Sequence, residues 1–306
     1  MRKKKNAFSF LVSPVFYIFA PGMKTGLVLE GGAMRGLFSV GIMDVMMEAG
    51  IAPDGIIGVS AGAAFGCNYK SGQVGRAIRY NKRFAKDSRY CGLRSLVKTG
   101  NLFNAEFAYH VVPEEYDKFD NESFEQSPIE FYVVCTDVVT GKPVYKKCMR
   151  GGHVTYDWIR ASASMPVASR VVELEGMKLL DGGMTDSIPL QYFQSIGFGR
   201  NLVLLTQPED YEKKPNRLMP IIRRSLRKYP NTVHAMEHRH EMYNQELAYV
   251  RQEVAKGNTM AIYPKEKLPI GHTSHNPEEM QRVYDIGQQT GRQHLDEIMR
   301  FFLCKD

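Results

Sequence analysis

The chain has 306 residues, enough for one large domain or a domain with an appendage. At 43% hydrophobic and 24% charged residues, with 16 Phe and 16 Tyr, it has material for a sizeable core, which excludes intrinsic disorder and low-complexity polymers. The net charge of +7 is concentrated in Arg2–Lys5 and in Arg217–Lys228; the remainder is near neutral, so no nucleic-acid partner is expected.

Residues 1–22 combine a basic start with an apolar run from Ala7 to Ala20, interrupted by Ser9, Ser13 and Pro14. That run is too short to span a bilayer, which takes about 20 apolar residues, and no Ala-x-Ala cleavage site follows it. Three readings stand: translation beginning at Met23, which is favoured; an export or anchoring segment; and an apolar arm docked on the fold. The five cysteines, Cys67, Cys91, Cys135, Cys148 and Cys304, have neither metal-ligand nor redox spacing. They are expected to be reduced thiols of a cytoplasmic protein.

From residue 24 the pattern alternates strand and helix. Gly26–Leu29 is an apolar strand, Glu30–Gly36 a glycine-rich loop, Leu37–Glu48 a helix and Gly55–Val59 a second strand, which implies a parallel sheet with right-handed crossovers. Further strands are expected at Glu130–Val138 and Pro143–Lys147, joined by a hairpin at Thr140–Lys142, and at Lys178–Leu180 and Asn201–Leu205. Helices are expected over 73–86, 154–163 and 188–196. Beyond about residue 208 helices dominate, at Arg217–Lys228, Thr232–Lys256 and Pro277–Phe301, with one strand at Asn258–Tyr263. The expected organisation is an α/β catalytic domain over 23–208 with a mainly helical C-terminal region over 209–306.

Three loops carry chemistry. Gly58-Val-Ser60-Ala-Gly62 fits a nucleophile elbow, in which a strand ends and a helix begins so abruptly that the serine hydroxyl is exposed and its neighbours must be small. Upstream, Glu30-Gly31-Gly32-Ala33-Met34-Arg35-Gly36 presents free backbone N–H groups at a helix entrance, suited to an anion. Beside a serine nucleophile that anion is the tetrahedral oxyanion of acyl transfer. A dinucleotide loop fits poorly, because Ala33 breaks Gly-x-Gly-x-x-Gly and no acid closes the second strand. Arg35 either orients the loop or contacts an anionic substrate. Asp181-Gly182-Gly183 then ends an apolar strand, where open sheets build their sites.

In this order the three motifs resemble the patatin-like phospholipase family, and Ala161-Ser-Ala-Ser-Met-Pro166 looks like the segment that bacterial members carry shortly before Asp-Gly-Gly. The resemblance spans about residues 24–195. It implies a three-layer αβα fold with a mainly parallel sheet and a Ser60–Asp181 dyad. Backbone donors from Gly31, Gly32 and Ala33 would form the oxyanion hole, with Arg35, Gly36, Gly58, Gly62, Gly182 and Gly183 in support and no cofactor or metal. Ala33 departs from the usual third glycine, and alanine resists positive φ. Such a dyad suits lipid or phospholipid ester substrates, and it needs an Asp181 made more basic by desolvation.

Two other readings are carried. One is an α/β-hydrolase-type esterase in which His272 or His275 completes a Ser-Asp-His triad; the other is a non-catalytic lipid-binding or regulatory member of the fold. His234-Ala-Met-Glu237-His238 has the form of an inverted zinc-peptidase motif but reads as a solvated helical face, and His153 reads as surface or structural. Arg217, Arg223, Arg224, Arg227 and Lys228 either dock on anionic lipid at the inner membrane or, the favoured reading, form the solvated face of a helix packed by Leu218, Ile222 and Leu226.

Overall fold

The computed structural model describes residues 23–303 except 88, 91–99, 101–103 and 105. The N-terminal segment 1–22 and the thiols Cys91 and Cys304 therefore lie outside the described residues, while Cys67, Cys135 and Cys148 are buried free thiols.

Eight strands form one sheet: β1 Thr25–Leu29, β2 Gly55–Val59, β3 Glu130–Asp137, β4 Lys142–Lys147, β5 Val172–Leu174, β6 Met177–Asp181, β7 Arg200–Leu204 and β8 Thr259–Ile262. The order is β5-β6-β3-β2-β1-β7-β8, with β4 beside β3. Pairing is parallel from β3 through β2, β1 and β7 to β8 and antiparallel among β3, β4, β5 and β6. The β3–β4 hairpin turns at the expected place.

Both faces of the sheet are covered, as apolar runs in β1 and β2 require. Leu27, Leu29, Ile56 and Phe131 join one core cluster, and Val28, Ile57, Val59 and Val203, one step out of phase, join another. The first face is packed by α1 Leu37–Glu48, α2 Ala61–Lys70, α3 Arg76–Phe84, α4 Asn121–Gln126 and α5 His153–Ser162. The second is covered by α6 Leu190–Ser195. A π-helical segment, Phe107–Tyr116, the short helix α4 and the short strand β5 had no advance signal in the hydrophobic pattern.

The C-terminal region enters both layers and the sheet itself. It contains α7 Met219–Ser225, α8 Pro230–Glu237, α9 Arg239–Ala255 and α10 Pro277–Leu303. The single helix expected over 232–256 is in fact two, broken at His238 (φ −96°, ψ 4°). Tyr243, Leu247 and Val250 of α9 pack on the second face, whereas α10 lies across α1 on the first, and β8 extends the sheet beyond β7. The α1–α10 crossing is a contact of backbones. A Cβ at Gly41 would fall 2.3 Å from the Tyr284 carbonyl oxygen, and one at Gly287 would fall 2.1 Å from that of Phe38.

Because neither backbone can yield cheaply, Gly287→Ala is expected to cost at least about 1–3 kcal/mol of stability, the usual range for overpacking. A urea unfolding curve measures it, and an unchanged midpoint would remove close packing as the reason for glycine there.

Candidate active site

The site is set by which residues of β3 its neighbours reach. β2 pairs with Glu130–Val134, ending at Val59 opposite Val134. β6 runs the other way and pairs with Cys135–Asp137, ending at Asp181 opposite Cys135. Since β4 occupies one edge of β3 along Tyr132–Asp137, β2 and β6 share the other edge and meet end to end. The residue after β2 and the last residue of β6 thus come together, although β6 is antiparallel and not the parallel strand that a carboxyl-edge site suggests.

Ser60 sits at the turn from β2 into α2 with φ 55° and ψ −119°, a left-handed conformation that costs a non-glycine residue about 1–2 kcal/mol. The elbow survives because its flanks are bare. A Cβ at Gly58 would lie 2.5 Å from the Gly62 carbonyl carbon, and one at Gly62 would lie 2.4 Å from the Leu29 oxygen. The Ser60 N–H donates to Ser162 Oγ at 2.8 Å, and the Ser162 hydroxyl donates to the Val134 carbonyl at 2.6 Å. The Asp181 N–H donates to the Ser164 carbonyl at 2.9 Å. The Ala161–Pro166 segment therefore braces both candidate residues, a role visible beforehand only as a similarity of motif.

The Asp181 carboxylate accepts a hydrogen bond from the Gly183 N–H at 2.8 Å through Oδ1, and the Ser60 hydroxyl lies beside it. Burial pushes its pKa above the ordinary aspartate value, against the opposing pull of the Ser60 hydroxyl, the Arg239 charge and the Gly183 N–H. This is the direction a base in direct contact with a serine needs. Gly182 lies against β3, where a Cβ would fall 2.2 Å from the Val134 oxygen.

The glycine loop leaves β1 beside the elbow, with Leu29 in register with Gly58. Gly31 is so close to the serine that a Cβ would lie 3.1 Å from Ser60 Cβ. Among the described residues no protein acceptor takes the N–H groups of Gly31, Gly32 or Ala33. Ala33, expected to resist positive φ, adopts φ 50°, whereas Gly32 is extended at −174°. The loop's left-handed residue is its alanine, held there by the 3-10 turn Ala33–Gly36 into α1. Gly36 packs against Ala61 and Phe65 of α2.

Behind the loop, buried Glu30 accepts hydrogen bonds from the Thr206 N–H at 2.6 Å, the Thr206 hydroxyl at 3.0 Å and the Tyr243 hydroxyl at 2.7 Å. One turn before Tyr243, Arg239 donates through Nε to the Gly183 carbonyl. The C-terminal helix α9 thus holds the roots of both the glycine loop and the aspartate turn. Nothing local in the sequence marks Arg239 or Tyr243. Arg35 pairs with His272, whose pKa is driven down to about 4 by partial desolvation and by Arg35, Lys213 and Arg239. His275 bonds the Ala85 carbonyl. Both histidines offered for a triad are engaged elsewhere, and Asp181 lies beside Ser60.

Beside Ser60 opens a cavity walled mainly by apolar groups such as Met34, Phe65, Tyr109, Val112, Ile159 and Met165. At the other end of the region, Arg217, Arg223, Arg224, Arg227 and Lys228 are exposed, and Arg223 pairs with Glu237 at 2.6 Å. Ile222 and Leu226 pack inward as expected, but Leu218 does not: it is 58% exposed, as is Ile221 at 52%, because α7 is shorter than the sequence suggests. His234, Glu237 and His238 cluster on α8 near its end.

Comparison with known proteins identifies the family. The family model described as patatin-like phospholipase matches residues 27–193, and one described as a domain of unknown function (DUF6363) matches 229–303. The uncharacterized protein YjjU of Escherichia coli is 27% identical over 92% of this chain and 79% of its own length. Lysophospholipase nte1 of Aspergillus oryzae is 25% identical over 90% of this chain, which spans only 18% of that longer protein. Among solved structures, VipD from Legionella pneumophila superposes with a TM-score of 0.44 at 13% identity, covering 90% of this chain and 67% of its own. The chain belongs to the patatin-like phospholipase family, and with it to the hydrolases of lipid acyl esters.

Proposed function

We propose that the chain hydrolyses lipid or phospholipid acyl esters through an acyl-enzyme on Ser60, with Asp181 as the only proton carrier. The observation that carries this reading is the placement of the Ser60 hydroxyl beside a buried carboxylate whose pKa is raised. Asp181 takes the Ser60 proton as Oγ attacks the acyl carbon. The N–H groups of Gly31, Gly32 and Ala33 receive the oxyanion, and Asp181 returns the proton to the departing alkoxide. A water deprotonated by Asp181 then attacks acyl-Ser60 and releases the fatty acid. A carboxylate base, even a strengthened one, favours esters, whose alcohol leaves with less assistance than an amine. The apolar cavity beside Ser60 accommodates the acyl chain.

A peripheral membrane contact fits the same reading. Leu218 and Ile221 stand exposed among Arg217, Arg223, Arg224, Arg227 and Lys228, an apolar and cationic surface suited to anionic lipid. Among the described residues no helix is long and apolar enough to cross a membrane. The free thiols Cys67, Cys135 and Cys148 support the reading of a cytoplasmic enzyme working against the inner membrane.

A fluorophosphonate probe should label Ser60, as located by mass spectrometry. Asp181→Asn should lower the labelling rate and ester turnover by roughly 10²–10⁴-fold; an adduct on another serine would displace Ser60 from its role. The acid limb of kcat/KM should follow Asp181, so activity falls with decreasing pH at values above the ordinary aspartate pKa of about 3.9. Arg239→Gln removes a charge that lowers that pKa and should move the limb to still higher pH, with Arg239→Lys moving it less; an unmoved limb would take Arg239 out of the proton chemistry. Finally, vesicles rich in phosphatidylglycerol should bind the protein, and changing Arg217, Arg223, Arg224 and Arg227 together to Ser should abolish the binding. Persistence of binding in that variant would remove the docking surface.

A further inference from the structure

Two helices beside the cavity carry a side-chain cluster that the proposed chemistry does not use. His110 and Glu114 lie four residues apart in Phe107–Tyr116, and His153 and Asp157 lie four apart in α5, so each pair shares a helix face. One ring nitrogen of His110, one of His153 and a carboxylate oxygen of Glu114 all fall within 4.8 Å of one another. His153 Nε2 is 2.7 Å from Glu114 Oε1, and the two imidazoles stack with centroids 4.8 Å apart.

A second observation concerns how His110 is held. The residue is only 8% exposed, and its Nε2 meets Asp157 Oδ1 at 3.2 Å. Asp157 is itself fixed by Arg160 at 3.1 Å. With Nε2–H donated to that carboxylate, Nδ1 keeps the lone pair, and Nδ1 is buried without a hydrogen-bond partner. A buried acceptor left unpaired is costly unless something takes it up. A histidine with one ring nitrogen pinned by a carboxylate and the other unpaired is the arrangement that supports a metal ligand.

We propose that His110, through Nδ1, together with Glu114 and His153 forms a Zn²⁺ site, with Asp157 as the outer partner of His110 and water in the fourth position. Two imidazoles and one carboxylate are a borderline-soft donor set that suits Zn²⁺ better than Ca²⁺ or Mg²⁺, which take oxygen ligands. Tetrahedral bonds of about 2.0–2.2 Å set ligand atoms about 3.3–3.6 Å apart, so the His153–Glu114 pair, now at 2.7 Å, opens as the ion enters. Rotation of the His153 and Glu114 side chains, 66% and 43% exposed, accommodates this and unstacks the rings. The bound ion would tie α5 to the helix that supplies Ala108, Tyr109, Val112 and Pro113 to the cavity wall. The second cluster, His234, Glu237 and His238, lacks these features: it lies at the end of α8, Glu237 is paired with Arg223, and His238 is paired with Glu241 at 3.1 Å.

The test uses the whole protein stripped with EDTA and titrated near neutral pH with Zn²⁺ by calorimetry and with Co²⁺ by visible absorption. One equivalent should bind, with the intense absorption of low-coordinate cobalt. Glu114→Gln and His153→Ala, both at exposed positions and checked for folding by circular dichroism, should weaken binding by at least about 100-fold, and Asp157→Asn by roughly 10–100-fold. His238→Ala should leave it unchanged. Failure of the unmodified protein to take up one equivalent, retention of affinity in the His153 and Glu114 variants, or loss of it in His238→Ala would each overturn the assignment.

Discussion

Two consecutive residues of β3, Val134 and Cys135, decide where the chemistry happens. The first receives the end of β2 and the second the end of β6, so one strand edge serves two neighbours arriving from opposite directions. A register slip of one residue on either side would turn Ser60 or Asp181 to the wrong face of the sheet. The surrounding contacts protect that register. The Val134 carbonyl accepts the Ser162 hydroxyl, and the Asp181 carbonyl accepts the Thr136 hydroxyl at 2.8 Å. The Ser60–Asp181 contact is thus a property of sheet pairing more than of the loops that carry the motifs.

Charge is arranged around this contact with the same economy. Asp181 is buried, which raises its proton affinity, and Arg239 restrains the rise from the far side of the Gly183 carbonyl. Glu30 occupies the equivalent position behind the glycine loop but is held by three donors from Thr206 and Tyr243. The two buried carboxylates therefore receive opposite treatment. One is kept basic beside a serine hydroxyl, and the other is saturated with hydrogen bonds and serves as an anchor.

Much of this was legible in the sequence because the motifs are local. The Gly-x-Ser-x-Gly elbow, the glycine loop and Asp-Gly-Gly each declare a strand end and a turn within a few residues, and alternating strand and helix patterns supply the layers between them. What was not legible depends on distant partners. Leu218 reads as a packing residue by helical spacing, yet α7 begins only at Met219 and leaves it outside. Ala33 reads as an obstacle to positive φ, yet the 3-10 turn forces that conformation on it. Arg239 and Tyr243 look like ordinary surface residues of a charged helix, because their partners Gly183 and Glu30 lie 56 and 213 positions away.

The reciprocal glycine contact between α1 and α10 has a consequence for biosynthesis. During translation Leu37–Glu48 emerges early, whereas Gly287 follows it by some 240 residues, with β8 and α9 only slightly ahead. Until then one face of the nascent sheet lacks its outer helix, β7 is an open edge, and neither catalytic loop has its brace. Contacts of such sequence separation form slowly and late. A ribosome-bound chain therefore holds Ser60 and Asp181 well before it holds the distant contacts that fix the loops around them.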